Sequence, residues 1–226
     1  MKCSNCGQKI LRNLLIQEII FPWLIPTWEI CQTCQSAFQK IEIKKACPGC
    51  MRPNCASLCF DCQRWRKIYP QFTLQHQALY HYNAAFQDWL YRYKFGGDYN
   101  LAWTFAQPIK EKLKKYRSFT IVPLPLSKAR QKERGFNQVE AFLKAANISY
   151  ENLLMRQHHD TPQALKTRQE RLTLQQPYQI ALNQSVSGKK IVLVDDVYTT
   201  GRTIYHGVEL LSQLGVKEVV TFTLAR

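Results

Sequence analysis

Cysteine is absent from the last 164 of the 226 residues, and all nine cysteines lie at or before Cys62. Acidic residues are scarce too: 16 Asp and Glu stand against 31 Lys and Arg, a formal net charge of +15. Long apolar runs are missing. The longest, Ile19 to Pro26, has eight residues and two prolines, far short of the roughly 20 that cross a bilayer. Nor is there a secretory leader: Cys3 and Cys6 stand where a basic and then an apolar region belong, and no small-residue cleavage site follows. No low-complexity stretch occurs, and no repeat beyond paired CxxC motifs. These absences point to the cytosol and to no membrane insertion. What is present, 46% hydrophobic and 21% charged residues, excludes extended disorder. The length suits one or two domains.

The cysteines form four CxxC pairs, Cys3/Cys6, Cys31/Cys34, Cys47/Cys50 and Cys59/Cys62. In a reducing compartment such pairs suggest metal rather than disulfides. CxxC wraps two thiolates around a turn, and two pairs complete a tetrahedral Zn2+ site. Sequential pairing puts Cys3, Cys6, Cys31 and Cys34 on one ion and Cys47, Cys50, Cys59 and Cys62 on a second. Both sites are closed, hence structural. Redox-active thiols and an interleaved pairing are the competing readings. Cys55 is left over, either a small buried apolar residue or a substitute ligand. Between the first two pairs, Leu14 to Trp28 is rich in Ile, Leu, Phe and Trp. It is read as the packed interior of the module rather than as a patch for a partner protein.

The basic excess covers the first 190 residues and stops there, since residues 191–226 hold three Lys and Arg against four Asp and Glu. A broad excess suits a polyanionic partner, although a merely soluble surface has the same composition. Arg64-Trp65-Arg66-Lys67 interleaves base and aromatic, as single-stranded nucleic-acid binders do. It reads equally as a solvated linker with one anchoring Trp.

Further on, Asn83 to Phe95 has helical periodicity and ends at Gly96-Gly97. Asp98 can cap a second helix carrying Leu101, Phe105, Ile109 and Leu113, with Pro108 placed to kink it. Phe119 to Val122 reads as a strand and Phe136 to Asn147 as an amphipathic helix. Residues 156–176 are polar and unpatterned, which suggests a mobile loop. Lys190 to Val194 is a buried-type strand, followed by an Asp195-Asp196 loop, a helix over Arg202–Leu214 and a strand over Glu218–Leu224. Strand, loop, helix and strand make a βαβ unit, hence a parallel sheet whose ligand lies at the strands' carboxyl ends.

The loop there reads Asp195-Asp196-Val197-Tyr198-Thr199-Thr200-Gly201-Arg202-Thr203. Backbone N–H groups at a helix start cradle phosphate. Thr199, Thr200 and Thr203 add hydroxyls, Gly201 allows close approach, and the two carboxylates can accept ribose hydroxyls. Together they suit a ribose 5-phosphate, and the plain alternative is a capped βα turn.

Ile191 to Thr203 resembles the phosphoribosyl-pyrophosphate (PRPP) signature of type I phosphoribosyltransferases, with Tyr198 standing where an aliphatic residue is usual. The whole chain is similar to ComF-family proteins of the late-competence type. The CxxC pairs, Tyr93-Lys94-Phe95-Gly96-Gly97-Asp98, Val122-Pro-Leu-Pro125, Arg134-Gly-Phe-Asn-Gln138, Thr161-Pro-Gln163 and Arg168 to Arg171 carry that similarity. It implies an α/β fold, a phosphoribosyltransferase-like parallel sheet with helices on both faces behind a zinc-binding module. The domains implied are a module over 1–66, a linker over 67–80 and the main domain over 81–226. It further implies that Asp195, Asp196, Thr199, Thr200, Gly201, Arg202 and Thr203 bind PRPP with Mg2+. Pro123, Leu124, Pro125 and Leu126 would form the pyrophosphate turn, with Arg130, Lys132 and Arg134 nearby. A loop over 156–172 would bring Arg156, Lys166, Arg168 or Arg171 over the site, and Arg134 and Arg171 are the catalytic candidates. The function implied is uptake of transforming single-stranded DNA alongside a ComFA-type helicase and other DNA-processing proteins, in the cytosol or peripherally at the uptake machinery. An active transferase with an unidentified acceptor and a PRPP-sensing scaffold are the alternatives.

Overall fold

The computed structural model describes residues 1–11, 13–25, 28–156, 176–182 and 184–226. In the cysteine-rich segment two short strands, β1 (Lys2–Cys3) and β2 (Trp28–Glu29), pair in parallel. Three helices accompany them: α1 (Ile16–Ile20), α2 (Gln32–Ala37) and α3 (Phe60–Ile68). The main domain runs β3 (His76–Tyr80), α4 (Ala84–Phe95), α5 (Ala106–Leu113), β4 (Thr120–Pro123), α6 (Lys128–Arg134) and α7 (Gln138–Ala145). An antiparallel ribbon follows, β5 (Leu154–Arg156) with β6 (Tyr178–Ile180), and then β7 (Lys190–Val197), α8 (Arg202–Gln213) and β8 (Glu218–Ala225).

Four strands form one parallel sheet in the order β3-β8-β7-β4. Both faces are covered, as all-parallel sheets require. The alternation on β7 distributes the core. Val192 and Val194 face Phe86, Trp89, Ile109 and Phe142 from α4, α5 and α7, with Phe105 from the turn before α5, whereas Ile191 and Leu193 face Ile204, Val208 and Leu211 of α8. The second core also takes in Trp65, Tyr69 and the cysteines of the second cluster. The cysteine-rich module therefore completes one face of the main domain.

Local chemistry explains the helix starts. Asn83 caps α4, its side chain accepting from the Phe86 N–H, and Asn137 caps α7 by accepting from Val139. Asp98 caps a 3-10 turn over Tyr99–Phe105 that precedes α5. Pro108 falls in the first turn of α5, where its missing N–H has no partner to lose, so it starts a helix instead of kinking one.

Three expectations need correction. First, the 67–80 stretch is no linker throughout, because His76–Tyr80 is an edge strand registered against β8. Its inward face carries His76, whose ring nitrogens lie 2.9 and 3.1 Å from the hydroxyls of Thr221 and Thr223. Burial drives the ring pKa down to about 3, so the strand hides its pattern behind a neutral polar contact. Second, β7 runs on to Val197, placing Asp195 and Asp196 on the strand rather than in the loop. Third, the segment from Leu14 to Trp23 is not the module's interior. Ile16 and Trp23 are each 76% exposed, and Leu15, Ile19 and Ile20 are exposed as well. The module closes through its cysteines, so it does not have to bury these side chains.

Candidate functional site

The site lies at the carboxyl ends of β4 and β7, where an open α/β sheet binds its ligand. A cavity of about 330 Å³ is walled by Leu124, Pro125 and Leu126 after β4, by Asp195, Asp196, Thr199 and Thr203 from β7 and the loop, and by Lys94, Arg130, Gln138, Arg156 and Tyr178. Each cation arrives from a different element: Lys94 from the end of α4, Arg130 from α6, and Arg156 from β5, where it is registered against Tyr178. Three cations and two acids around one small cavity suit an anionic sugar.

The two aspartates differ in state. Asp196 is held by the Lys94 ammonium at 2.7 Å and by the Gln138 side-chain amide at 2.7 Å. Among the described residues no cation touches the Asp195 carboxylate; desolvation, and then the charge of Asp196, raise its pKa to about 7. Asp196 is thus anchored by Lys94 and Gln138.

Nine of the expected residues gather on the cavity wall: Leu124, Pro125, Leu126, Arg130, Arg156, Asp195, Asp196, Thr199 and Thr203. Pro123 is buried in β4. Thr200, Gly201 and Arg202 form the turn into α8, with Gly201 left-handed at φ 84°. A Cβ there would collide with the Tyr198 ring and hydroxyl. Arg134 is not on the wall. Its guanidinium lies 5.3 Å over the Phe95 ring and, among the described residues, meets the cavity wall by donating to the Gln138 side-chain oxygen at 3.1 Å. Arg171 lies outside the described residues, as do Thr161 to Gln163, Lys166, Arg168 and all of the expected 156–172 loop except Arg156. Lys94 and Gln138 had no assigned role in the sequence, although both belong to quoted motifs.

The cysteines meet as two clusters, Cys3, Cys6, Cys31 and Cys34, and Cys47, Cys50, Cys59 and Cys62, with the sulfurs of each within 4.8 Å of one another. Sulfurs on a tetrahedral zinc at about 2.3 Å lie about 3.8 Å apart. The Cys47–Cys62 and Cys50–Cys59 separations are 3.8 and 3.6 Å, and Cys6–Cys31 is 3.9 Å. All nine cysteines are free thiols. The donor set and spacing fit zinc at both sites, in sequential pairing. Cys55 belongs to neither cluster and donates to the Ser57 carbonyl.

Of Arg64, Trp65, Arg66 and Lys67, the three cations are exposed but Trp65 is only 2% exposed. It stacks on Tyr205 at 4.6 Å between ring centroids, and its indole N–H donates to the Thr200 carbonyl at 2.7 Å. The base-stacking role expected of Trp65 does not survive this burial; it is the anchor.

A model of the phosphoribosyl transferase domain matches residues 148–226. Together with the sheet and its cavity, this defines a phosphoribosyltransferase-type domain fused to a module that fits two zinc ions. At full length, the chain is 39% identical over 228 residues to competence protein ComFC of Streptococcus pneumoniae, covering 100% of both chains. It is 34% identical to competence protein ComFC of Bacillus subtilis, covering 99% of this chain and 94% of that one. The chain belongs to the ComFC family of competence proteins. Among solved structures, a hypoxanthine phosphoribosyltransferase of Staphylococcus aureus is 19% identical over 54% of this chain and 61% of its own, with a TM-score of 0.33.

Proposed function

We propose that this competence protein binds PRPP with Mg2+ in the cavity at the ends of β4 and β7, and takes part in uptake of transforming single-stranded DNA. One observation carries the pocket half: Asp195, Thr199 and Thr203 face the Leu124–Leu126 turn across a single cavity that also holds Arg130 and Arg156. The Asp195 carboxylate accepts ribose hydroxyls, the loop takes the 5-phosphate, and the arginines and the turn take pyrophosphate. Mg2+ accompanies the pyrophosphate and offsets its charge.

The DNA half rests on the family and on the net charge of +15, with the exposed Arg64, Arg66 and Lys67 as the proposed contact. A ComFA-type helicase is the proposed protein partner, and the exposed apolar segment from Leu14 to Trp23 is where a protein would dock. Among the described residues no helix is long and apolar enough to cross a membrane. We place the chain in the cytosol, at the uptake machinery through its partners.

Calorimetric titration with PRPP and Mg2+ tests the pocket: saturable binding is expected, abolished in Asp195→Ala, and equal binding by that variant overturns the assignment. Pyrophosphate release in the same samples would identify a transferase; binding without release would identify a PRPP-responsive uptake factor. For DNA, affinity that falls steeply with salt is expected, and a flat salt dependence refutes that half.

A further inference from the structure

We infer that the second cysteine cluster sets the conformation of the phosphate loop, with Arg226 and Trp65 as the positioning residues. The inference rests on the reading above that this loop binds phosphate, and it assigns that site a structural control.

Arg226 follows β8 and spans the gap between cluster and loop. Its Nε donates to the Cys50 sulfur at 3.3 Å, and Nη2 lies 3.4 Å from the Asp61 carboxylate of α3. Nη1 donates to the Thr199 carbonyl at 2.9 Å and to the Tyr198 carbonyl at 3.4 Å. The guanidinium also sits 4.8 Å from the Tyr198 ring centroid. Trp65, three residues beyond the ligand Cys62, donates to the next carbonyl, Thr200, at 2.7 Å. Three consecutive loop carbonyls, 198, 199 and 200, are therefore drawn toward the zinc module.

In a trans peptide the C=O and the following N–H point in opposite directions. Holding the carbonyls of 198, 199 and 200 on the module side turns the N–H groups of Thr199, Thr200 and Gly201 away from it. Among the described residues none of these three N–H groups has an acceptor. Free donors aimed the same way form the kind of concavity that binds an anion. The metal fits the arrangement as well. Four thiolates on one Zn2+ leave a net negative charge, and an outer guanidinium donating to a ligand sulfur is the kind of contact that orients such a site. Zinc at Cys47, Cys50, Cys59 and Cys62 would fix Cys50 and α3, and through them the loop. The chemistry of the strap is hydrogen bonding alone and needs no turnover.

The test is backbone order at residues 199–201, read as NMR order parameters in the zinc-loaded full chain, with zinc content measured alongside. Trp65→Phe keeps the stacked ring and removes only the N–H donor; Arg226→Lys keeps the charge and removes the fork. Order parameters at 199–201 that fall from about 0.85 in wild type to below about 0.6 in both variants, with zinc retained, are expected. Wild-type order parameters in zinc-loaded Trp65→Phe and Arg226→Lys overturn the inference. If Arg226→Lys sheds metal, Trp65→Phe alone decides. PRPP affinity, measured in parallel, should fall about tenfold in the same variants. Wild-type protein that fails to bind PRPP would remove the phosphate reading, while the order parameters would still judge the strap on their own.

Discussion

Gly201→Ala perturbs the loop at the point where backbone and packing meet. Gly201 is left-handed at φ 84°, and a Cβ would meet the hydroxyl and ring carbons of Tyr198. A non-glycine residue in that conformation costs about 1–2 kcal/mol. Forcing a methyl into a closed contact costs about 1–3 kcal/mol. Tyr198 cannot swing aside readily: it is 1% exposed, with the His76 ring 4.7 Å away and Arg226 at 4.8 Å. The sum is about 2–5 kcal/mol, a large share of the stability of an ordinary domain. The assay is chemical denaturation of wild type, Gly201→Ala, Tyr198→Leu and the double variant. The dihedral part stays in the double variant and the steric part goes, so the cycle should return a coupling of about 1–3 kcal/mol. A single-variant cost below about 1 kcal/mol, or a coupling near zero, refutes this account of why glycine follows Thr-Thr here.

Further outcomes follow from the same geometry. Asp195 holds its proton more tightly in the folded chain, at about 7 against an ordinary 3.8, so stability should fall as pH rises from about 4 to about 7. PRPP binding should tighten over the upper part of that range, and calorimetry on Asp195→Asn should find both trends flattened. Lys94→Met strands the Asp196 carboxylate, whose side chain is 8% exposed, and should cost about 3–5 kcal/mol in denaturant. Asp196→Asn added to Lys94→Met should recover most of that loss; no recovery would mean the ion pair is not the cause. Chelator should release zinc in two phases, first from the cluster with the exposed Cys6 and then from the wholly buried Cys47, Cys50, Cys59 and Cys62, with spectroscopic zinc indicators following both. A single phase, or fewer than two ions per chain, would reject this order.

Much of the main domain was legible in the chain because its signals are local. The α4 and α7 stripes, the β7 run and the turn at Gly201 each depend on residues within a few positions. Edge strand β3 escaped because its inward face holds His76, satisfied by two threonines on a distant strand, so no apolar alternation appears. Lys94 escaped because a lysine near a helix end reads as solvated; only the folded chain brings it to Asp196. The segment from Leu14 to Trp23 reads as interior from its apolar composition alone, yet it is exposed, because four-cysteine clusters can close so small a module without it.

The sequence by itself pointed to two four-cysteine sites and to a Thr/Gly loop after a buried strand, while the folded chain chose sequential over interleaved pairing of the cysteines. CxxC turns and strand–loop–helix signals are short-range and survive without knowledge of the fold. Only the tertiary structure decided that the second site and the loop are neighbours. Trp65 and Thr200 are 135 positions apart, and Cys50 and Arg226 are 176 apart. No periodicity encodes such contacts. They arise when β8 carries Arg226 past the cysteines and α3 packs on the same sheet face as α8, so that a basic chain with cysteine at one end places its second cysteine cluster against the loop that follows β7.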